Sequence, residues 1–417
     1  MTSMGPQASR LAPSQTSADP RRLRVLMIDE EFPYPPNAGK RIRSWNLLRR
    51  LASRHAIDLL CYGPLSEPAA AAAERAGVQV YTVPGLKESH GAGLYIRLFL
   101  NLFSALPFSV SKHYTNRFRD SVGALLRSGS YDLLHCEWSP YARYAEGRTP
   151  ALVMAHNVEA MIWHRRAGHC ANPASRWFFR QQAKKMQRFE SQRLKLARTL
   201  AVVTEEDAAI FRGWGFENIA LVENGVDIEY FTPSPEPERE DEILFLASLD
   251  WFPNQDALQF FVDEILPRIV AARPQAKLRV VGRRLPEPLA ARIRSTASVE
   301  LVGEVEDVRP ELRRSAVVVV PLRIGGGSRI KILEALAAGK AVVSTTIGAE
   351  GLVVRESVAI ADSAEEFADQ TLQLLGNKHE RRRLGSAGRQ LVVERYSWDK
   401  LAQAMEAAWR ETAGVQP

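Results

Sequence analysis

Long apolar runs, paired cysteines and metal-ligand spacings are all missing from this chain of 417 residues. No stretch of about 18 or more uncharged apolar residues occurs, so no bilayer-spanning helix is expected. Cys61, Cys136 and Cys170 stand far apart and follow no ligand pattern; an odd, sparse set suits reduced thiols in the cytoplasm. Clustered Asp and His at ligand spacing are absent too, so neither a metal nor a resident cofactor is expected. No Gly-Lys-Ser/Thr closes a glycine loop, which sets aside the P-loop enzymes, and no Gly-x-Gly-x-x-Gly follows the first strand, which argues against a nicotinamide oxidoreductase. Residues 1–21 are rich in Ser, Ala and Pro and lack an apolar core segment; they read as a disordered leader, not a secretory signal. Acids are outnumbered, 48 against 55 bases, and in the basic run 176–198 Glu190 is the only one. Such an excess suits phosphate-bearing ligands or an anionic membrane surface; with no nucleic-acid fold signature, nucleic acid is not an expected partner.

What the chain does have is alternation. Apolar runs at 23–28, 57–60, 78–83, 132–136, 151–155 and 199–203 read as strands, with amphipathic helices such as 41–54 and 68–76 between them. Strands alternating with helices imply a parallel sheet wrapped by right-handed crossovers. A Pro- and acid-rich stretch interrupts the pattern, which then restarts with strands at 243–246, 277–281, 298–302, 316–321 and 341–345 and helices at 256–271, 328–338, 364–375, 379–394 and 398–411. The expected fold class is α/β, with an N-terminal Rossmann-like domain at 22–232, a linker at 233–242, a second Rossmann-like domain at 243–395 and a terminal segment at 396–413.

The segment richest in chemistry runs from Pro321 to Gly339, a strand, a glycine loop and a helix. Gly325, Gly326 and Gly327 let backbone N–H groups approach an anion, and the helix start adds partial positive charge. Arg329 and Lys331 oppose the helix dipole in the first turn, a placement that gains if they face a diphosphate, and Glu334 one turn on can accept from ribose hydroxyls. The plainer reading is a tight turn with a solvated Lys331–Glu334 pair worth about 0.2–0.5 kcal/mol.

This segment resembles the donor signature of the retaining glycosyltransferases of family four, also called group 1, and further motifs in order strengthen the likeness. They are Glu223-Asn224-Gly225-Val226-Asp227 with Phe231, Val302-Gly303-Glu304-Val305 with Asp307-Val308, Leu333 through Val343, and Tyr396-Ser397-Trp398. The resemblance implies a GT-B architecture, two Rossmann-like domains facing across a cleft, with the terminal helix crossing back onto the first. It implies a nucleotide-diphosphate sugar as co-substrate, Gly303 and Val305 on the base side, and transfer to a glycan or lipid-linked acceptor in cell-surface or exopolysaccharide synthesis. Two departures stand out. Gly326 occupies a position where the family often has an acid, and the stretch Ser248 to Asn254 lacks the family's Arg and Lys, leaving Arg323, Arg329 and Lys331 to carry the phosphate charge.

On the N-terminal side, the loop 35–41 joins strand to helix at the carboxyl edge of the sheet, where ligands bind in open α/β folds. Gly39 is therefore a diphosphate candidate and Arg43 an acceptor-side candidate, against a plain Pro-rich connection. His156, with Asn157 beside it as a second acceptor-side candidate, follows a strand at the same edge; the histidine is either a satisfied structural residue or, as the resemblance implies, the catalytic-site histidine that meets the donor sugar. The apolar segment 94–103, flanked by Lys112, Arg117 and Arg119, reads either as a core helix or as an element at a membrane interface near a lipid-linked acceptor. The expected protein is thus a cytoplasmic transferase, at the inner face of the membrane if that segment docks there. Its rivals are an epimerase or phosphorylase of the same fold and a non-catalytic sugar-nucleotide-binding protein.

Overall fold

The computed structural model describes residues 22–85, 91–145, 147, 149–168, 170, 172–324, 329–354 and 356–415. Seven parallel strands form the first sheet: β1 Arg24–Ile28, β2 Ala56–Gly63, β3 Gln79–Pro84, β4 Leu133–Cys136, β5 Ala151–Ala155, β6 Thr199–Val202 and β7 Ile219–Leu221. Six form the second: β8 Arg239–Leu246, β9 Lys277–Val281, β10 Val299–Gly303, β11 Ser315–Val320, β12 Ala341–Ser344 and β13 Ala359–Ile360. Their orders are β3-β2-β1-β4-β5-β6-β7 and β10-β9-β8-β11-β12-β13, so the strand order reverses between β1 and β4 and again between β8 and β11. These reversals open a crevice at the carboxyl edge of each sheet. The central strands β5 and β11 are buried along their whole length, the continuous apolar pattern of strands covered on both faces.

Three expectations are corrected by the backbone. Strand β8 starts at Arg239, inside the segment read as linker, because its charged first residues are paired: Glu242 accepts from Arg239 at 3.0 Å and from two nitrogens of Arg314 at 2.7 Å. The helix expected at 256–271 is Phe252–Phe260 and Leu266–Ala272 joined by a π turn, Phe261–Ile265. Pro267 has no N–H for the carbonyl four residues back, so the winding changes just before it. The segment at 94–103 is not a core helix: in the helix Ala92–Leu102 and the residue after it, large apolar side chains stand in solvent.

The chain crosses from the first sheet to the second through Asn224 and Gly225 and returns through Tyr396 and Ser397. The two crossings are bound to each other: Val226 N–H donates to Tyr396 O at 2.8 Å, and Val226 bridges Ser397. The helix Trp398–Ala413 then lies over the first sheet, where Trp398, Leu401, Met405 and Trp409 share a core with Val25, Met27, Leu47 and Leu152. A Cβ added at Gly225 would lie 2.7 Å from both Leu401 Cδ1 and Trp398 Cε3, so only glycine lets the crossing pass beneath this helix. Gly225→Ala should therefore destabilise the protein by about 1–3 kcal/mol, the usual range for overpacking. The check is a lower urea midpoint at an unchanged slope.

Candidate active site

Between the sheets lies a cavity of about 870 Å³. Its walls are the loops that follow the switch-point strands. Gly39, His156 and Asn157 face it from the first domain, and Val305, Arg329, Lys331 and Glu334 from the second. Gly303, at φ 86°, turns the chain after β10 into that wall. Gly325, Gly326 and Gly327 lie outside the described residues.

On the C-terminal side, the helix Ile330–Ala337 begins where β11 delivers the chain, with Arg329 at its N-cap. The Arg329 guanidinium is buried, donates to Ile347 O at 2.6 Å and reaches Glu350 at 3.3 Å, while its Nε has no partner among the described residues. Burial, only partly opposed by Glu350, lowers its pKa to about 10. Lys331 donates to Asn254 Oδ1 at 2.8 Å instead of closing an ion pair with Glu334, so the solvated-pair reading does not hold. Burial, reinforced by Arg329, brings the Lys331 ammonium down to about 7. Burial raises Glu334 to about 7 against the pull of Lys331. Two cations and a carboxyl thus face the cavity from one helical turn, each held where its charge is costly.

On the N-terminal side, His156 extends β5 into the cavity. Its Nε2 lies 2.7 Å from Glu137 O, and a carbonyl only accepts, so Nε2 carries the proton and Nδ1 keeps its lone pair in the neutral ring. Burial lowers the His156 pKa and favours that neutral form. Beneath it, Glu137 accepts from Ser44 Oγ at 2.6 Å and stands 3.0 Å from His135 Nε2. His135 Nδ1 in turn accepts from the Trp409 indole at 3.0 Å, so the terminal helix fixes this ring as well. Burial alone would raise Glu137, but His135 and His156 outweigh it and hold the carboxyl well below its usual range.

Two candidates are spent elsewhere. Arg43, expected on the acceptor side, lies at the cavity wall but is buried, with its guanidinium committed to the chain crossing: it donates to Val222 O at 2.7 Å, to Asn224 Oδ1 at 3.1 Å and to Glu223 O. Arg323 is tied to Asp256 at 2.8 and 3.1 Å. The sequence reading passed over residues the fold brings in. Arg283, after β9, reaches the cavity with its Nε on Ser248 Oγ at 3.1 Å. Asn254 is pinned to Ser248 O at 2.7 Å and positions Lys331. Glu350 takes Arg165 from the first domain at 3.0 Å and Arg329 from the second, a bridge across the cleft. The Gly282-Arg283 pair at the end of a strand was the one local signal for any of these.

Two parallel α/β sheets facing across a cleft, with the last helix returned to the first, define the GT-B class. Residues 45–230 match the model described as Glycosyltransferase Family 4, and residues 240–377 match the one described as Glycosyl transferases group 1. The two matches divide just before β8, where the second sheet begins, and the chain belongs to family 4 of the glycosyltransferases. Among curated relatives it is similar to a GDP-mannose-dependent monoacylated alpha-(1-6)-phosphatidylinositol monomannoside mannosyltransferase of Corynebacterium glutamicum, 27% identical over 44% of this chain and 53% of that protein. It is also similar to a phosphatidyl-myo-inositol mannosyltransferase of Mycobacterium tuberculosis, 29% identical over 49% of this chain and 58% of that one. The chain thus spans little more than half the length of these relatives. Its fold matches Anabaena Alr3699/HepE in complex with UDP and glucose (TM-score 0.64, 13% identity, 93% of this chain and 99% of that one). It also matches a glycosyltransferase from Rickettsia africae (TM-score 0.65, 13% identity, 94% and 98%).

The low Lys331 pKa has a measurable consequence. A diphosphate bound beside it stabilises the ammonium and raises its pKa, so binding above pH 7 takes up a proton, and affinity falls as pH rises through about 7. Calorimetry in buffers of different ionisation enthalpy should show this uptake at pH 8, lost in Lys331→Ala and kept in Glu334→Gln.

Proposed function

We propose that the protein transfers a sugar from a nucleoside-diphosphate donor to a glycan or lipid-linked acceptor of the cell surface, with retention at the anomeric carbon and without a metal ion. The observation that carries this reading is the pair Arg329 and Lys331, desolvated cations at a helix start that lack enough protein charge to balance them. A diphosphate supplies that charge and accepts from the helix N–H groups as well. The relatives and the solved structures point the same way: one relative is named GDP-mannose-dependent, and the HepE structure holds UDP. Family membership supports retention.

In this reading Gly325, Gly326, Gly327 and Gly39 approach the diphosphate with backbone, Glu334 accepts from the ribose, and the turn at Gly303 and Val305 receives the base. The bond from the anomeric carbon to phosphate breaks, and its electrons leave with the diphosphate, whose growing charge Arg329 and Lys331 stabilise. The acceptor oxygen forms the new bond on the same face and gives its proton to a departing phosphate oxygen. His156 Nδ1 accepts from a sugar hydroxyl, and Asn157 lies beside it toward the acceptor. Among the described residues no three His, Cys, Asp or Glu side chains gather to hold a metal. None of the described helices is long and apolar enough to cross a membrane.

Lys331→Ala should weaken nucleoside-diphosphate binding roughly ten- to hundredfold, the worth of a charge-assisted hydrogen bond, with little change for the free nucleoside. Equal diphosphate affinity in variant and parent would refute the donor site. His156→Ala should lower kcat and kcat/KM together with an unchanged Tm; a structural histidine gives the reverse, a lower Tm with normal turnover per folded molecule. Sugar transfer should survive EDTA, and loss on chelation restored by Mn²⁺ would overturn the metal-free mechanism.

A further inference from the structure

The helix Ala92–Leu102 is mounted the wrong way round for a soluble protein. Tyr95, Ile96, Phe99, Leu100 and Phe103 fall at one-turn spacing on a single face and are 59–79% exposed. The face turned to the protein carries a buried Asn101, which donates to Leu106 O and Ser111 Oγ at 3.1 Å and accepts from Gln182 at 3.0 Å. Lys185 adds donors to the carbonyls of Asn101 and Leu102 at 2.7 and 3.2 Å. These bonds hold the helix to the long helix Pro173–Arg193, so its outward apolar face is a built orientation.

The surroundings are charged with one sign. No Asp or Glu occurs between Glu88 and Asp120, nor between Glu159 and Glu190. The solvent side of the long helix presents Arg180, Lys184 and Arg188 at successive turns, with Trp177 exposed ahead of them. We infer that this face is a docking surface for an anionic lipid bilayer: the apolar stripe enters the acyl boundary and the basic row meets the headgroups. A protein partner is the weaker fit, since only an acidic surface complements segments that carry no carboxylate from 92 to 113 and from 173 to 189. The next helix, Phe108–His113, leads from this face to the loop after β1, where the His113 ring packs edge-on against Trp138 at 5.0 Å and lies 3.7 Å from Glu30, which accepts at 3.2 Å from Lys40 on the cavity wall. The surface is argued from its own side chains and rests on the proposed transferase only in that a bilayer here holds a lipid-linked acceptor beside the cleft.

The test is sedimentation of the full chain with vesicles of phosphatidylcholine alone and of equimolar phosphatidylcholine and phosphatidylglycerol. Binding should require phosphatidylglycerol and weaken with salt. Phe99→Ser with Phe103→Ser, and separately Arg180→Glu with Lys184→Glu, should each cut vesicle binding roughly tenfold or more while calorimetric affinity for nucleoside diphosphates stays at the parent value. The inference fails if the parent ignores phosphatidylglycerol or if the variants bind like the parent. It also fails if the parent self-associates in sedimentation equilibrium and the Phe variant is monomeric, which makes the face a contact between copies. Absent nucleotide binding in every form would instead bring down the donor site and leave the vesicle result standing.

Discussion

Everything in the cleft depends on how two short crossings of the chain are tied together. Arg43 reaches through the first domain and holds the carbonyls of Val222 and Glu223 and the side chain of Asn224, the last residues before the chain leaves that sheet. A buried guanidinium with several protein acceptors has few alternative arrangements, because each lost bond leaves a desolvated donor behind. Val226 and Tyr396 then join the outgoing and returning segments, and Arg389 donates to Ile228 O and Phe231 O further along. Both sheets thereby acquire a common origin, and loops that never touch in sequence meet across one cavity.

The cavity itself is a place of suspended charge. Lys331 and Glu334 are both moved to about 7, and Arg329 to about 10, because water has been removed without full protein compensation. The first domain takes the opposite course: Glu137 is buried but surrounded by Ser44, His135 and His156, so its charge is settled before any ligand arrives. One wall is prepared to gain from an incoming anion, and the other holds a neutral imidazole steady. On the far side Glu350, shared between Arg165 and Arg329, links the wall that carries Arg329 and Lys331 to the first domain.

How much of this was legible in sequence follows the range of the signal. Strands such as β1, β5 and β11 announce themselves because buried parallel strands read as apolar runs, and the Pro321 to Gly339 segment carries its own strand, loop and helix. The two-residue β13 and three-residue β7 are too short to show a period, and β8 hid its start behind charges whose partners Arg273 and Arg314 lie far along the chain. Arg43 looked like a ligand-facing cation since sequence does not reveal which way a buried helix residue turns. Asn254, Arg283 and Glu350 act through partners dozens of residues away. The apolar helix at 92–102 was visible as a composition, but its inverted mounting depends on Gln182 and Lys185, which belong to another element.

The returning helix Trp398–Ala413 has a consequence for how the protein is made. Its Trp398, Leu401, Met405 and Trp409 complete a core whose other members lie in the first third of the chain and beyond, Val25 and Leu47 among them, and Thr412 hydrogen-bonds Thr199 at 2.8 Å. On the ribosome that side of the first sheet emerges hundreds of residues before the helix that covers it. The first domain is therefore synthesised early and finished late, with an apolar face waiting in the open while the second sheet assembles. A nascent chain in that state is a natural client for chaperones that shield apolar surface, and a message truncated near its end leaves a first domain that never closes.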